Sequence, residues 1–267
     1  MWRGLVFSLI LICVCMSNAF AQVSKKDMLN DIVNYSKSDI SANGENSFSG
    51  MRPKAISEAA RTIAFQKAVR WRYDMILGII HNNETMITSI FDFKRLLLHN
   101  GRLLPPVIVE GRDGLRIESD TRATEVKASY RIIKEARIVS NPPSWRDYLY
   151  REYKTSERIN PALIPKNEKE RDIWANAAIK GFHDGIEHAN YLFKVNLKRM
   201  VRDFQGILKF NILAEQNIVN VPMLAEGEYG IIVEGKRLDV DQKVFRITKD
   251  AVFQDVDQWT PKVGIHE

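Results

Sequence analysis

Residues 173–213 read IWANAAIKGFHDGIEHANYLFKVNLKRMVRDFQGILKFNIL, and this stretch decides the fold. Ile173, Trp174, Ala177, Ala178, Phe182, Ile186, Ala189, Phe193, Leu197, Met200, Phe204, Leu208 and Leu213 recur in steps that line one side of an α-helix. Extended to Asn167 and Gln216, it is the longest periodic segment of the chain. Gly181, Gly185 and Gly206 interrupt the stripe, so the expectation is one long helix with a bend, or two helices in tandem.

Working outward, Pro53 suits a first helical turn, and Ile56, Ala60, Ile63, Ala64, Ala68, Trp71 and Met75 follow at helical spacing. A second helix is predicted from Glu84 to Leu98, stopped at Asn100-Gly101 by a left-handed cap. The period then changes. Leu103 to Val109 is extended, because residues before Pro105 and Pro106 are pushed away from the helical region. A turn is predicted at Gly111–Gly114. Thr124, Val126, Ala128, Tyr130 and Ile132 alternate with polar residues, which predicts a half-buried strand. Ser144 caps a predicted short helix from Trp145 to Tyr153, and the diproline corner before it is expected to bury Trp145 rather than present it to a ligand. Beyond the long helix, strands are predicted between Ile218 and Phe253, with a tight turn at Glu234-Gly235-Lys236. The class is α+β: helices, including the long one, packed with two short-stranded antiparallel β regions.

Length and composition agree with a globular protein. The chain has 267 residues, 45% hydrophobic and 27% charged, with a formal charge of +6 spread among acidic residues. Such a balance favours anionic partners only mildly, and no direct nucleic-acid binding is expected. Residues 1–21 read as a signal peptide, with Arg3 before the apolar run Leu5–Met16 and Ala19-Phe20-Ala21 as a cleavage site. Cys13 and Cys15 both fall inside it, so a mature chain starting at Gln22 carries no disulfide. Acylation of either cysteine is the alternative, although Ile12 and Val14 stand where a small residue usually precedes such a site. Residues 22–52 read as a flexible arm and linker, with an amphipathic stretch at Met28, Leu29, Ile32 and Val33 and a Ser-, Asn- and Gly-rich run after it. Residues 53–267 are then expected to form a single α+β domain.

The residue types that do chemistry are present but poorly arranged. His183 and Glu187 share a helix face, yet His183 and His188 are five apart, where zinc-binding helices place two histidines one turn apart. A third ligand would have to come from His81, His99 or a carboxylate elsewhere. Asp239-Val240-Asp241 begins like a calcium loop without its glycine or distal glutamate and reads as a hairpin turn. Gly111-Arg112-Asp113-Gly114 lacks the spacing of a phosphate loop, and the chain has no Gly-x-Ser-x-Gly elbow. Lys198, Arg199 and Arg202 could meet phosphate, but with Asp203 beside them they read as a solvated helix face. No catalytic, cofactor-binding or metal site is assigned. The competing expectation is a periplasmic hydrolase with a dispersed, metal-dependent site at His183, Asp184 and Glu187; a secreted small-ligand binding protein is a third.

Several longer segments carry a family resemblance. Leu103-Leu-Pro-Pro-Val-Ile-Val-Glu110, Ile133-Lys-Glu-Ala-Arg-Ile-Val139, Asn141-Pro-Pro-Ser-Trp-Arg-Asp-Tyr-Leu149, Leu163-Ile-Pro-Lys166, Arg202-Asp-Phe-Gln-Gly206 and Leu213-Ala-Glu-Gln216 resemble the DotC family and its counterpart TraI of I-type plasmid conjugation. The resemblance extends from about Ile56 to Trp259. It implies a structural subunit of the outer-membrane core complex of a type IVB (Dot/Icm-like) secretion or conjugation apparatus. It further implies a hetero-oligomeric ring with DotD-like and DotH-like partners, on the periplasmic side of the outer membrane, and no catalytic residues to carry over. The family's lipid anchor is where this sequence departs, given the setting of Cys13 and Cys15. Partner contacts are expected on the arm Val23–Gly50 and on the strand edges after Ile218.

Overall fold

A computed structural model of the chain describes residues 26–33, 51–153 and 160–260. The signal sequence with Cys13 and Cys15, and most of the segment read as an arm, lie outside the described residues.

The order of elements is α1 (residues 26–33), α2 (Met51–Asn82), α3 (Glu84–Ile90), β1 (Leu103–Leu104), β2 (Val107–Ser119), β3 (Arg122–Lys134), β4 (Arg137–Ile138), α4 (Trp145–Leu149), α5 (Glu168–Glu215), β5 (Met223–Glu234) and β6 (Arg237–Lys249). The strands pair antiparallel as β1 with β4, β2 with β3 and β5 with β6, each a two-stranded sheet. The fold is α+β. Some boundaries differ from those read in the sequence. The predicted helix to Leu98 stops at Ile90 and continues as a 3-10 turn, Phe93–Leu96, capped by Asp92. The helix after Ser144 ends at Leu149 rather than Tyr153.

Where one domain is read over 53–267, the contacts form two compact units, Met1–Glu84 with Leu149–Asn196, and Thr85–Tyr148 with Leu197–Glu267. The reason is the length of α5. It is one continuous helix of 48 residues, whereas about 20 residues already span the diameter of a small domain. Its ends are well specified. Asn167 Oδ1 accepts the Glu170 N–H at 2.9 Å, and Glu168 and Glu170 lie in the positive first turn. At the far end Asn217 takes φ +54°, with Ile218 N–H bonded to Leu213 O and Asn217 N–H to Ala214 O, the 6→1 and 5→2 pattern of a Schellman stop.

In the first unit, Ile56, Ala60, Ala64 and Ala68 of α2 meet Trp174, Ala177, Ala178 and Phe182 of α5 in one buried cluster. Small side chains let the two backbones come close. A Cβ on Gly181 would lie 2.2 Å from Arg61 O, and one on Gly185 2.6 Å from Phe65 O. These glycines are contact points of an unbroken helix, not the interruptions they resemble in the sequence. Arg52 fixes the start of α2: its guanidinium pairs with both oxygens of Glu170 and donates to Ala162 O. Within the segment read as flexible, α1 is docked. Ile32 belongs to the buried cluster, Met28, Leu29 and Val33 pack against it, and Trp174 Nε1 donates to Ile32 O at 3.1 Å.

The second unit buries Ile108, Phe210, Leu213, Val219 and Ala251 together, and sets Phe204 edge-on to Phe91 and Phe93. Gly206 again marks a close approach, a Cβ there lying 2.4 Å from Val107 Cγ1. From this body rise two long hairpins. In β2–β3 the turn falls between Ser119 and Arg122, not at Gly111–Gly114, which lies within β2 with Asp113 at φ +50°. In β5–β6 the turn at Gly235-Lys236 stands as read, but Asp239–Asp241 lies in β6 rather than in a turn. The strand predicted to be half-buried is exposed over most of its length. The alternation in β3 serves a two-stranded ribbon packed only at its base, where Ile108 and Ile132 join the core; beyond it Leu115 and Ile117 are exposed on one side, Val126 and Tyr130 on the other.

Candidate functional site

The residues that could do chemistry are brought to separate places. His183 Nδ1 lies 3.8 Å from Glu187 Oε1, and both side chains are mostly solvent-exposed. Asp184 accepts from the Arg61 guanidinium at 2.7 Å, and the His188 ring rests against Phe65. His81 pairs with Glu84, and His99 Nε2 is 3.0 Å from Pro222 O. Among the described residues no three potential metal ligands converge. A cavity of about 430 Å³ lined by Asn217, Asn220, Lys249 and Gln254 is open and holds one charged group.

What the structure does assemble is a buried charge junction on α5. Asp203, 1% exposed, accepts from Lys134 Nζ at 2.6 Å, from Tyr148 OH at 3.1 Å, and from Arg202 Nε and Nη2 at 3.1 and 2.8 Å. Burial pushes its pKa up, but the hydrogen bonds from Lys134 and Arg202 outweigh it and hold the carboxyl below its usual range. Burial first, and the Asp203 charge second, push the Tyr148 phenol upward. Tyr148 therefore donates to an ionised carboxylate across the physiological range. Such a pair holds charge; a proton-transfer group needs a pKa near the working pH. The region read as a solvated face is thus half wrong: Lys198 is exposed, but Asp203 is the buried end of an ion cluster. The sequence held a signal for this. Asp203 stands one turn from Met200 and from Ile207, both buried, so it lies on the apolar face.

Three neighbouring features brace the same unit. Ser144 Oγ accepts the Arg146 N–H and Asp147 Oδ2 accepts the Ser144 N–H, a reciprocal cap for α4. Trp145 is buried as expected, its Nε1 donating to Thr88 Oγ1 at 3.0 Å. Glu110, at the base of β2, is gripped by Lys209 and by Arg112, which hold its pKa at about 2.

The chain matches the family model described as type IV secretory system, conjugal DNA-protein transfer (T4SS_TraI), over residues 50–261. It belongs to this family. No curated protein matches the chain. The family match bears out the resemblance to a TraI/DotC-like conjugation protein and makes the chain a type IV secretion- and conjugation-related protein. Three of the segments behind that resemblance meet at one carboxylate, since Lys134 comes from Ile133–Val139, Tyr148 from Asn141–Leu149 and Asp203 from Arg202–Gly206.

The TraI-family region also includes both hairpins, and β5–β6 leaves apolar side chains exposed. One face carries Leu224 with Ile247, Glu226 with Phe245 and Glu228 with Lys243, and its base meets the body of its own unit. There the Arg102 guanidinium sits 4.2 Å from the Phe245 ring centroid and 3.2 Å from Glu226 Oε1, while Leu224, Phe245 and Ile247 are half-buried. On the other face Ala225, Val240 and Val244 are exposed, Val240 by 58%. The register continues this face with Ile231 opposite Val240 and Val233 opposite Leu238. A strand that alternates normally turns its apolar side inward; the base of the ribbon does so through Leu224, Phe245 and Ile247, while farther out Glu228 and Lys243 on one face and Val240 and Val244 on the other are all exposed.

Proposed function

We propose that the protein is a structural, non-enzymatic subunit of the outer-membrane core complex of a type IVB (Dot/Icm-like) secretion or conjugation apparatus. In this reading it stands on the periplasmic side of the outer membrane, exported by a cleaved signal, and assembles in a ring with DotD-like and DotH-like subunits. The observation that carries the reading is the family match over residues 50–261. Two features support the structural role. The segments that bear the resemblance are used to hold one another at Asp203, and the ribbons leave Leu115, Ile117, Val240 and Val244 exposed on surfaces that suit contact with other proteins. Among the described residues no helix is long and apolar enough to cross a membrane; in this reading the protein is held at the outer membrane by its partners, with a lipid on Cys13 or Cys15 as the alternative anchor.

The test is to extract the assembly from membranes of cells that carry the apparatus, using a tagged chain, and identify its companions by mass spectrometry. Recovery of DotD-like and DotH-like subunits in fixed ratio is the expected result; a chain that fractionates alone in the soluble periplasm overturns it. An N-terminus at Gln22 is expected, and an acylated cysteine would revise the anchoring. The hydrolase alternative, in its metal-dependent form, predicts bound metal that elemental analysis of the purified chain would reveal, but no geometry at His183, Asp184 and Glu187 favours it.

A further inference from the structure

One face of β5–β6 leaves Val240 and Val244 exposed, with Arg246 near its base. We infer that it is a docking face for an apolar, sheet-like or cleft surface on a different subunit of the same apparatus, with an acidic group opposite Arg246. This rests on the proposed function as a subunit, and goes beyond it by naming the surface.

The argument runs through the possible occupants. Between Ala225 and Arg246 the register sets Gly227 with Val244, Tyr229 with Gln242, Ile231 with Val240 and Val233 with Leu238 on this face, and Arg246 is its one charge. A partner therefore has to be mostly apolar along the ribbon, with a polar group able to meet Gln242, and negative near the base. A second copy of this chain fits poorly. Two strands of at most 13 residues, about 4.8 Å apart and rising about 3.3 Å per residue, offer roughly 400 Å². That is about half of the ~800 Å² per partner that a stable complex buries. A broader surface that also wraps the ribbon's edges supplies the remainder. A lipid surface fits poorly as well, because Met223 to Lys249 carries five acidic and five basic residues, with no net attraction to anionic headgroups. The body of the unit meanwhile holds the base of the opposite face, through Arg102 on Phe245 and Glu226.

The experiment compares the full-length tagged chain with Val240→Asp/Val244→Asp and with Glu228→Gln, a control on the opposite face, in cells carrying the apparatus. Membrane assemblies are extracted and their subunits quantified by mass spectrometry. Wild type and Glu228→Gln are expected to recover the other subunits equally, and the double variant at least tenfold less, with unchanged circular dichroism and melting. Recovery by the double variant at wild-type level overturns the inference and leaves the subunit reading standing; failure of the wild type itself to recover them sinks that reading. Should the double variant fold poorly, a benzoylphenylalanine photo-crosslinker at position 240 replaces it. Crosslinks to another subunit from 240 but not from 228 support the inference. A self-crosslink, or binding of the purified wild type to phosphatidylglycerol vesicles that the valine changes abolish, assigns the face to a second copy or to lipid and overturns it.

Discussion

Asp203 and the valines of β5–β6 stand in each other's ordinary places: a carboxylate 1% exposed inside, and Val240 and Val244 exposed outside. Inside, the charge is tolerable because Lys134, Arg202 and Tyr148 occupy its lone pairs, so the junction is complete within the chain. Outside, nothing among the described residues buries Val240 or Val244, and on the docking inference a partner subunit does. The difference separates what this protein needs in order to fold from what it offers for assembly. Both regions lie in the same compact unit, so a change in one can be scored against the other in the same molecule.

The largest expected effect is on the inside. Trp145 is almost fully buried and hydrogen-bonded to Thr88, so Trp145→Ala should cost about 3–5 kcal/mol in urea unfolding. A loss below about 1 kcal/mol would show that the diproline corner is not part of the core, and would remove the structural half of the contrast.

Next come the glycines of α5. In an open helix, Gly→Ala gains up to about 1 kcal/mol in propensity, and Gly78→Ala in α2, with nothing within 4 Å of the new Cβ, should show that gain. Gly181→Ala puts its Cβ 2.2 Å from a backbone oxygen, where overpacking of this kind costs about 1–3 kcal/mol. Opposite signs for the two substitutions are the expected outcome. The same sign for both would mean that α2 and α5 do not approach closely at Gly181.

Asp203→Asn ranks third, at about 1–3 kcal/mol, since Lys134 and Arg202 are half-exposed and can turn to water. Its signature is in the pH dependence. A carboxyl with a depressed native pKa adds stability that is present above the unfolded value of about 3.9 and disappears as pH falls through the native one. Wild type should therefore lose stability on acidification below about pH 4, and the asparagine variant should lose less over the same window. Parallel acid limbs would show that Asp203 is not the linked group, although Glu110, held at about 2, contributes with the same sign.

Much of this was legible beforehand, and the failures share a cause. Helical periodicity placed α2 and α5, and Ser144, Trp145 and Gly235 behaved as their local chemistry dictates, because caps, turns and helix faces are decided within a few residues. Gly181 and Gly185 were misread because their reason lies more than a hundred residues away, at Arg61 and Phe65. The same holds for β3: period two signals that faces differ, but not that anything covers one of them. Asp203 needed Lys134 and Tyr148 to make its burial bearable, and pairings at that separation leave no mark in a single sequence.

The smallest effect on stability carries the comparison's outer half. Val244→Thr keeps the β-branch and the strand propensity while placing a hydroxyl on the outward face, where the side chain is 41% exposed. For the isolated chain the expected change is within about 0.5 kcal/mol, as for surface substitutions generally. The hydroxyl is already solvated in the free protein, so it costs free energy only when a partner removes that water without offering a hydrogen bond. Weakened recovery of the assembly with an unchanged unfolding midpoint is therefore the expected pair of results. A clear drop in the midpoint of the isolated chain would mean that the valine already packs against its own protein, and the contrast between the two regions would collapse.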